Sequence, residues 1–294
     1  MATAALLADA LADEAILTGA EAERALGEVA ARLRAGEVVP YLGPAVVGLS
    51  NPSIPLAPEG LAEFFGKKVS LPRRARGNAW SSAQYIESNK FRPTVVAFMT
   101  EAFSAPMTPA PLQTYLASLG LPLIVDTWYD SAMRKALADA DDWGEVQGIS
   151  RAGIGEDRWF RFYDAAGGEA RAADAAGWKT LLYKPHGCVA PAKNYLISDA
   201  DYVEVLTEID IQTPIPEVVR DRRTSRTFLY LGCRFHDQML RTYARQVAKR
   251  SSPPHYAVIE PDRELTLNEK RFFAAEQIAP LAIPLARACE ILMG

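Results

Sequence analysis

The sequence contains few of the residues that most often mark a catalytic or metal site, with three cysteines and three histidines in 294 residues. The cysteines lie at positions 188, 233 and 289, so they form no C-x-x-C pair and no disulfide framework. Such sparse cysteine use is typical of the reducing cytoplasm, where we expect this protein to reside. Any histidine-based chemistry must therefore use His186, His236 or His255.

Long apolar runs and a strong net charge are also missing. No apolar stretch approaches the ~20 residues that a membrane span needs, and the first ten residues lack the basic residues of a secretory signal. The formal net charge is −4, and 23% of the residues are charged. We therefore expect neither a membrane partner nor a nucleic-acid partner, and a globular chain of one large domain or two ordinary ones.

Short apolar runs alternate with helical patterns along the chain. The runs that predict strands are 38–42, 121–125, 159–163, 179–183, 227–231 and 255–259. The main patterns that predict helices are 20–35, 131–138, 199–207, 238–249 and 265–292. This alternation predicts an α/β fold with a Rossmann-like, mostly parallel sheet and helices on both faces.

The distribution of proline indicates a second, smaller part of the fold. Residues 51–118 are punctuated by prolines between short helical stretches and are interpreted as a small helical module. N-terminal helices are predicted over 1–36, and the Rossmann-like core over 37–50 and 119–294, interrupted by an excursion at 140–178. We interpret the 294 residues as one unit carrying a helical insert.

Polar or small residues follow the strands of the predicted core. These loops are 43–48, 126–130, 184–188, 232–237 and 260–263. In open α/β sheets, ligands bind outside the carboxyl ends of the strands. The loops are therefore the predicted location of the functional site.

Five segments resemble blocks of the SIR2-like superfamily, in particular the bacterial SIR2-like domains related to sirtuins. The similarity covers roughly residues 30–292, with the blocks in the family's order. The opening strand with its G-A-G-x-S phosphate loop corresponds to 40–47, the I-T-T-N-Y-D block to 124–130, the K-L-H-G block to 183–187, the I-T-x-x-D-Y helix start to 197–202, and the G-Y-S-L-x-D turn to 231–237.

The resemblance implies an NAD site between the Rossmann-like domain and the helical module, with no metal. The family's chemistry cleaves the bond between nicotinamide and ribose and passes the product to an acyl-lysine, an ADP-ribose acceptor or water. The catalytic candidates that it implies are His186, as general base toward a ribose hydroxyl, and Asp130. The cofactor-binding candidates are Gly43, Pro44, Ala45, Thr127, Trp128, Gly187, Gly232, Cys233, Arg234 and Glu260.

The sequence departs from the family pattern at the positions that matter most for this chemistry. The second glycine of the phosphate loop is Ala45 and its serine is Val47. The family's Asn, which positions the nicotinamide ribose and the attacking water, is Trp128, and an indole has one donor and no acceptor. The serine of the later turn is Arg234, whose guanidinium is able to bind phosphate.

These departures predict a nucleotide-binding protein with degenerate catalytic motifs, acting as a binding or regulatory module. An alternative is an active NAD hydrolase or ADP-ribosyl transferase with His186 as base. A weaker alternative is a scaffold or interaction protein that binds no nucleotide. A further protein chain or a second copy is an expected partner. Deacylation is the least expected activity, because the four-cysteine zinc ribbon of true sirtuins is absent.

Several candidates also have ordinary structural interpretations. His186 is also interpretable as a buried core histidine, and Trp128 as a core aromatic that fills a pocket. Asp130 and Asp237 are placed to cap the helices that follow them. Arg234 is also interpretable as a surface cation.

A zinc site is a separate alternative. His186-x-Cys188 and Cys233-x-x-His236 together supply two Cys and two His, which is a set that binds zinc tetrahedrally. The H-x-C spacing is unusual for such a site, so we do not favour this interpretation.

Overall fold

The structure of the protein is a computed structural model that describes residues 16–50, 53–151, 158–208 and 214–294. The first 15 residues of the predicted N-terminal helices, and residues 152–157 of the predicted excursion, lie outside these ranges. The chain divides into two compact units. The first unit contains residues 1–46 and 220–294, and the second contains residues 47–219.

The strands of the described residues, in chain order, are β1 (Leu17–Thr18), β2 (Val38–Leu42), β3 (Leu123–Asp126), β4 (Trp143–Gly148), β5 (Phe160–Asp164), β6 (Glu169–Ala170), β7 (Thr180–Lys184), β8 (Gly187–Cys188), β9 (Asn194–Tyr195), β10 (Thr227–Leu231), β11 (His255–Ile259) and β12 (Ile278–Ala282).

The α-helices of the described residues are α1 (Gly19–Arg34), α2 (Pro44–Val47), α3 (Pro58–Lys68), α4 (Ala79–Lys90), α5 (Arg92–Phe103), α6 (Pro111–Ser118), α7 (Ala132–Ala136), α8 (Asp199–Glu208), α9 (Glu217–Arg223), α10 (Gln238–Ala248), α11 (Leu267–Ala275) and α12 (Leu285–Met293). A 3₁₀ turn covers Asp174–Ala176.

The first unit is built on parallel strands in the order β1-β12-β11-β10-β2. All five residues of β2 and of β10 are buried, as expected for strands covered on both faces. Helix α1 packs against α12, and its buried stripe contains Leu26, Val29 and Leu33. This unit places the loops after β2, β10 and β11 at the carboxyl ends of parallel strands.

The second unit is mixed. Its strands follow the order β3-β7-β4-β5-β6, in which β3, β7 and β4 are parallel and β5 and β6 are antiparallel. Helices α3, α4 and α5 pack in succession, and α4 also contacts α8. A proline lies in the first turn of α3, α5 and α6, where its missing N–H leaves no helical bond unmade.

The α/β class and the mostly parallel sheet are therefore confirmed. The prediction of a largely helical segment over 265–292 is wrong in part, because β12 lies between α11 and α12. Gln277 has a φ of +53° and ends α11 in the left-handed region. Pro280 cannot continue a helix, and the apolar run around it pairs with β11 instead.

Among the described residues, we find no helix that is both long enough and apolar enough to span a membrane.

Candidate functional site

In the second unit, the carboxyl ends of β3 and β7 carry a buried ion pair. Lys184 Nζ lies 2.9 Å from Asp126 Oδ2 and donates to the Asp130 carbonyl at 3.0 Å. Burial raises the pKa of Asp126 to about 6, although Lys184 acts in the opposite direction. Burial lowers the pKa of Lys184, but the groups around the ammonium, with Asp126 contributing most, together outweigh burial, and the net pKa lies above the ordinary value. The pair therefore fixes two strand ends against each other without exposing either charge.

His186 follows β7 directly and is 3% exposed. Its Nδ1 lies 3.0 Å from Tyr202 Oη, and Tyr202 Oη lies 3.4 Å from Tyr129 Oη. Tyr129 Oη in turn donates to the Leu196 carbonyl at 2.7 Å. Burial, assisted by the charge of Lys184, lowers the pKa of His186 to about 3. The imidazole is therefore neutral at pH 7 and belongs to a buried tyrosine chain.

Trp128 is held by the helical part of the same unit. Its indole Nε1 donates to the Pro55 carbonyl at 2.7 Å, and its ring meets Phe103 edge-on at 5.6 Å between centroids. The side chain of Tyr129 packs on it at 5.2 Å, and Trp128 as a whole is 6% exposed. The indole is therefore a core aromatic whose one polar atom is bonded inside the protein. Its neighbour Thr127 is also buried.

The side chains of Asp130 and Cys188 are hydrogen-bonded to backbone groups inside the protein. The carboxylate of Asp130 accepts from Ala132 N at 2.8 Å at the start of α7, but the N-cap position itself is Ser131, so Asp130 supports the turn before the helix and is not its predicted cap. The thiol of Cys188 donates to the Asp130 carbonyl at 3.0 Å, and burial raises its pKa to about 12. This cysteine is therefore a neutral core thiol at pH 7.

Gly187, the first residue of β8, is required by the local backbone. Its φ is +81°, and a Cβ at this position would collide with the Asn194 carbonyl. Only glycine fits both conditions. The His-Gly pair of the sequence block is thus explained by the turn itself.

In the first unit, the loops after β2 and β10 lie in close backbone contact. A Cβ on Gly43 would collide with the Gly232 carbonyl and lie 2.7 Å from Cys233 Cα. Gly43 N donates to Leu231 O at 2.8 Å, and Ala45 N donates to Gly232 O at 3.2 Å.

The next amide of this loop is also engaged. Val46 N donates to Gly43 O at 3.2 Å, and Pro44 has no N–H to offer. The amides of residues 43–46 are therefore already used inside the protein, although a phosphate-binding loop needs them for its ligand.

The remaining candidates of the first unit lie on neighbouring loops. Arg234 has a side chain that is 39% exposed, with Nε at 4.0 Å from Glu269 Oε1. The thiol of Cys233 lies 3.6 Å from the carbonyls of Tyr41 and Leu231. Glu260 accepts from Leu285 N at 3.1 Å and so supports the start of α12. Of these three residues, Glu260 is exposed, whereas Arg234 and Cys233 are partly buried.

Asp237 is the predicted helix cap of the first unit. Its carboxylate accepts from Met239 N at 2.7 Å at the start of α10. The cap interpretation of this residue is therefore correct.

Sequence reasoning did not single out Lys184, Asp126, Tyr129 and Tyr202 as site residues. All four fall in segments that resemble family blocks, but those motifs do not say which side chains meet. The sequence does contain a signal for the ion pair. Asp126 and Lys184 are oppositely charged residues that end two buried strands, and a buried charge needs a partner.

No three His, Cys, Asp or Glu side chains are grouped to hold a metal ion in the part of the chain that the structure describes. The two pairs of the zinc alternative lie in different units.

Two comparisons bear on this arrangement. A family model described as "SIR2-like domain" matches residues 122–281, which is more than half of the chain. The match begins just before β3 and extends into β12, so it includes the His186 region and the loops after β10 and β11. No curated protein matches the sequence.

Proposed function

This chain belongs to the SIR2-like domain family, and we propose that it binds NAD or ADP-ribose as a binding or regulatory module and does not cleave NAD efficiently. The observation that carries the proposal is Trp128. It stands where the family pattern has the Asn that positions the reacting ribose, and its indole N–H is bonded to the Pro55 carbonyl. An indole has no acceptor atom, so it cannot orient a water as an amide does.

The second unit retains a group that fits a ribose. The imidazole of His186 is neutral at pH 7, because burial lowers its pKa to about 3. A neutral imidazole carries one donor and one acceptor nitrogen, and because Nδ1 contacts Tyr202 Oη at 3.0 Å, a ribose hydroxyl would have to approach Nε2. NAD, when bound, would supply the adenosine, the pyrophosphate and the bond between nicotinamide and ribose.

The first unit does not fit the family's phosphate loop. The amides of Gly43, Ala45 and Val46 are bonded to backbone carbonyls, and Pro44 has none. We propose that Arg234 takes over phosphate binding, since a guanidinium binds phosphate with two parallel N–H groups. Phosphate affinity would then depend on a side chain rather than on the backbone.

Calorimetric titration with ADP-ribose tests the binding part. We expect saturable binding, and a loss of about tenfold or more in affinity for Arg234→Ala, the value of one charge-assisted hydrogen bond. Arg271→Ala, an exposed arginine on α11, is the matched control and should bind as the wild type does. No binding at millimolar ADP-ribose and NAD would favour the scaffold alternative instead.

An active NAD hydrolase or ADP-ribosyl transferase is the second candidate. It is favoured by the retained His186 and by its contact with Tyr202 at 3.0 Å, which fixes the ring. A pKa of about 3 weakens this imidazole as a general base at neutral pH. For this reason we place it second.

A further inference from the structure

We propose that a pocket at the carboxyl end of α3 binds a small ligand that carries two or more linked phosphate groups, at a site separate from the proposed nucleotide site. The pocket has a volume of about 470 Å³, which is the size of a small-ligand pocket. It is lined by residues 66–71 and by Arg76. Three of these seven residues are cations and none is acidic.

The segment that forms the pocket concentrates positive charge in a chain that is otherwise acidic. Residues 64–86 contain no Asp or Glu. Their cations are Lys67, Lys68, Arg73, Arg74 and Arg76. The segment therefore carries a charge of +5, and because the formal net charge of the whole chain is −4, the remaining residues sum to −9. A local cluster of this sign attracts anions to the pocket.

Most of these cations have no partner within the protein. Lys68 forms an ion pair with Glu101 of α5. In the part of the chain that the structure describes, the exposed side chains of Lys67, Arg73 and Arg74 form no ion pair and no hydrogen bond. The two lysines lie in the last turn of α3, where cations complement the helix dipole, but the two arginines lie beyond the helix. The dipole therefore does not account for the whole cluster.

The loop that carries the arginines is held in place. Ala75 is buried, its N donates to Pro72 O at 2.9 Å, and its carbonyl accepts from the buried Ser82 hydroxyl at 2.7 Å. Arg76 Nε donates to the Leu71 carbonyl at 2.8 Å, which is the one hydrogen bond of this side chain among the described residues. The two terminal nitrogens of Arg76 are therefore left for a ligand, and a guanidinium binds phosphate through parallel N–H groups.

The density of charge favours a compact ligand over an acidic protein segment. An extended peptide advances by roughly 3.3–3.6 Å per residue, so few of its carboxylates fit into one pocket. Linked phosphates place several negative charges in the same space, each with acceptor oxygens for ammonium and guanidinium groups. No aromatic side chain lines the pocket among the described residues, so nothing there stacks the bases of a nucleic acid.

The pocket is distinct from the region around Trp128. The Pro55 carbonyl, which accepts the indole N–H of Trp128, precedes α3, whereas the pocket lies at the opposite end of this helix. A helix of 11 residues is about 16 Å long. A small ligand in the pocket therefore does not reach Trp128.

Calorimetric titration of the full chain with tripolyphosphate tests the proposal. We expect saturable binding of one ligand per chain, weakened by at least about tenfold in the double variant Lys67→Ala with Arg76→Ala. The control is Arg24→Ala with Lys90→Ala, which removes the same charge from two exposed side chains that have no partner in the described chain, and it should bind as the wild type does. No saturable binding at millimolar tripolyphosphate, or equal losses in the two double variants, overturns the proposal.

Lys67→Ala alone separates a lost ligand contact from a disturbed loop. This side chain bonds to nothing in the described protein, so its removal should leave the thermal unfolding midpoint of the free protein unchanged. We expect tripolyphosphate to bind about two- to fivefold more weakly. Unchanged affinity would contradict a contact between this ammonium and the ligand.

Two further titrations identify the ligand and the site. A hexa-aspartate peptide should bind more weakly than tripolyphosphate, and tighter binding would assign the pocket to an acidic protein partner and overturn the phosphate assignment. Arg234→Ala, which alters the proposed nucleotide site, should leave tripolyphosphate affinity unchanged. A loss in Arg234→Ala as large as that in Lys67→Ala with Arg76→Ala would overturn the separate site.

Discussion

The strand-end loops of the two units use their polar groups in different ways. In the second unit, the polar groups at the strand ends are buried side chains. Lys184 pairs with Asp126, and His186 contacts the hydroxyl of Tyr202. In the first unit, the loop after β2 packs its backbone at Gly43 against Gly232, and the amides of this loop are bonded to backbone carbonyls. A residue that matches a family motif can therefore bind a ligand only through hydrogen-bonding groups that are not already bonded inside the protein.

The largest expected loss of stability follows from breaking the buried ion pair between Lys184 and Asp126. Lys184→Met leaves Asp126 buried without its cation and should lower the free energy of unfolding by about 3–5 kcal/mol. Arg287→Met breaks the pair with Glu23 in the first unit, where both side chains are more than 40% exposed, and should change the free energy of unfolding far less.

Urea denaturation of both variants measures this contrast. The double variant Lys184→Met with Asp126→Leu should recover most of the loss, because the carboxylate that Lys184 pairs with is removed together with the cation. Equal effects of Lys184→Met and Arg287→Met would show that the two units do not differ in this way.

The next largest loss of stability is expected where Gly43 packs against Gly232 in the first unit. Gly43→Ala introduces a Cβ that collides with the Gly232 carbonyl, and the backbone shift should destabilise the fold by about 1–3 kcal/mol. Gly27→Ala on α1 meets no atom within 4 Å and should be neutral or stabilising by up to about 1 kcal/mol. Thermal unfolding distinguishes the two, and a stable Gly43→Ala would refute the proposed steric role of this glycine.

The pH dependence of stability should separate His186 from surface groups. Its pKa is about 3 in the fold, so below its ordinary pKa of 6.5 the unfolded chain binds a proton that the folded chain does not. Stability is therefore lost as the pH falls from 6.5 toward 3, by at most about 1.4 kcal/mol per pH unit for this group. His186→Gln should remove that part of the slope of unfolding free energy against pH.

His255 provides the matched case in the first unit. Burial lowers its pKa to about 4, so it contributes to the same slope over a narrower range. His255→Gln should reduce the slope between pH 6.5 and 4 and leave the part below pH 4 unchanged. If neither variant alters the slope between pH 5 and 6.5, the two histidines are not buried as neutral rings.

Much of the fold was predictable from sequence, because buried parallel strands are short apolar runs with clear stops. The strands at 227–231 and 255–259 have the predicted bounds. The strand β12 was missed because its apolar residues, followed by those of α12, resemble one helical stretch. Pro280 was the signal against that interpretation.

The site was less predictable than the fold. The cap at Asp237 is a local contact two residues apart, and the sequence predicts it correctly, whereas the cap predicted at Asp130 falls one residue later, at Ser131. The bond from Leu285 N to Glu260 joins residues 25 apart, and the contact of Tyr202 with His186 joins residues 16 apart. A sequence motif says nothing about such tertiary contacts, so these residues acquire a role only in the folded chain.

NAD turnover is the most direct test of the central claim that this protein binds the nucleotide without cleaving it efficiently. Wild type and His186→Ala are incubated with a concentration of NAD that saturates the wild type in calorimetry, and released nicotinamide is measured by chromatography. We predict saturable NAD binding by the wild type, with nicotinamide release no faster than that of His186→Ala. Rapid release by the wild type that disappears in His186→Ala would contradict the account.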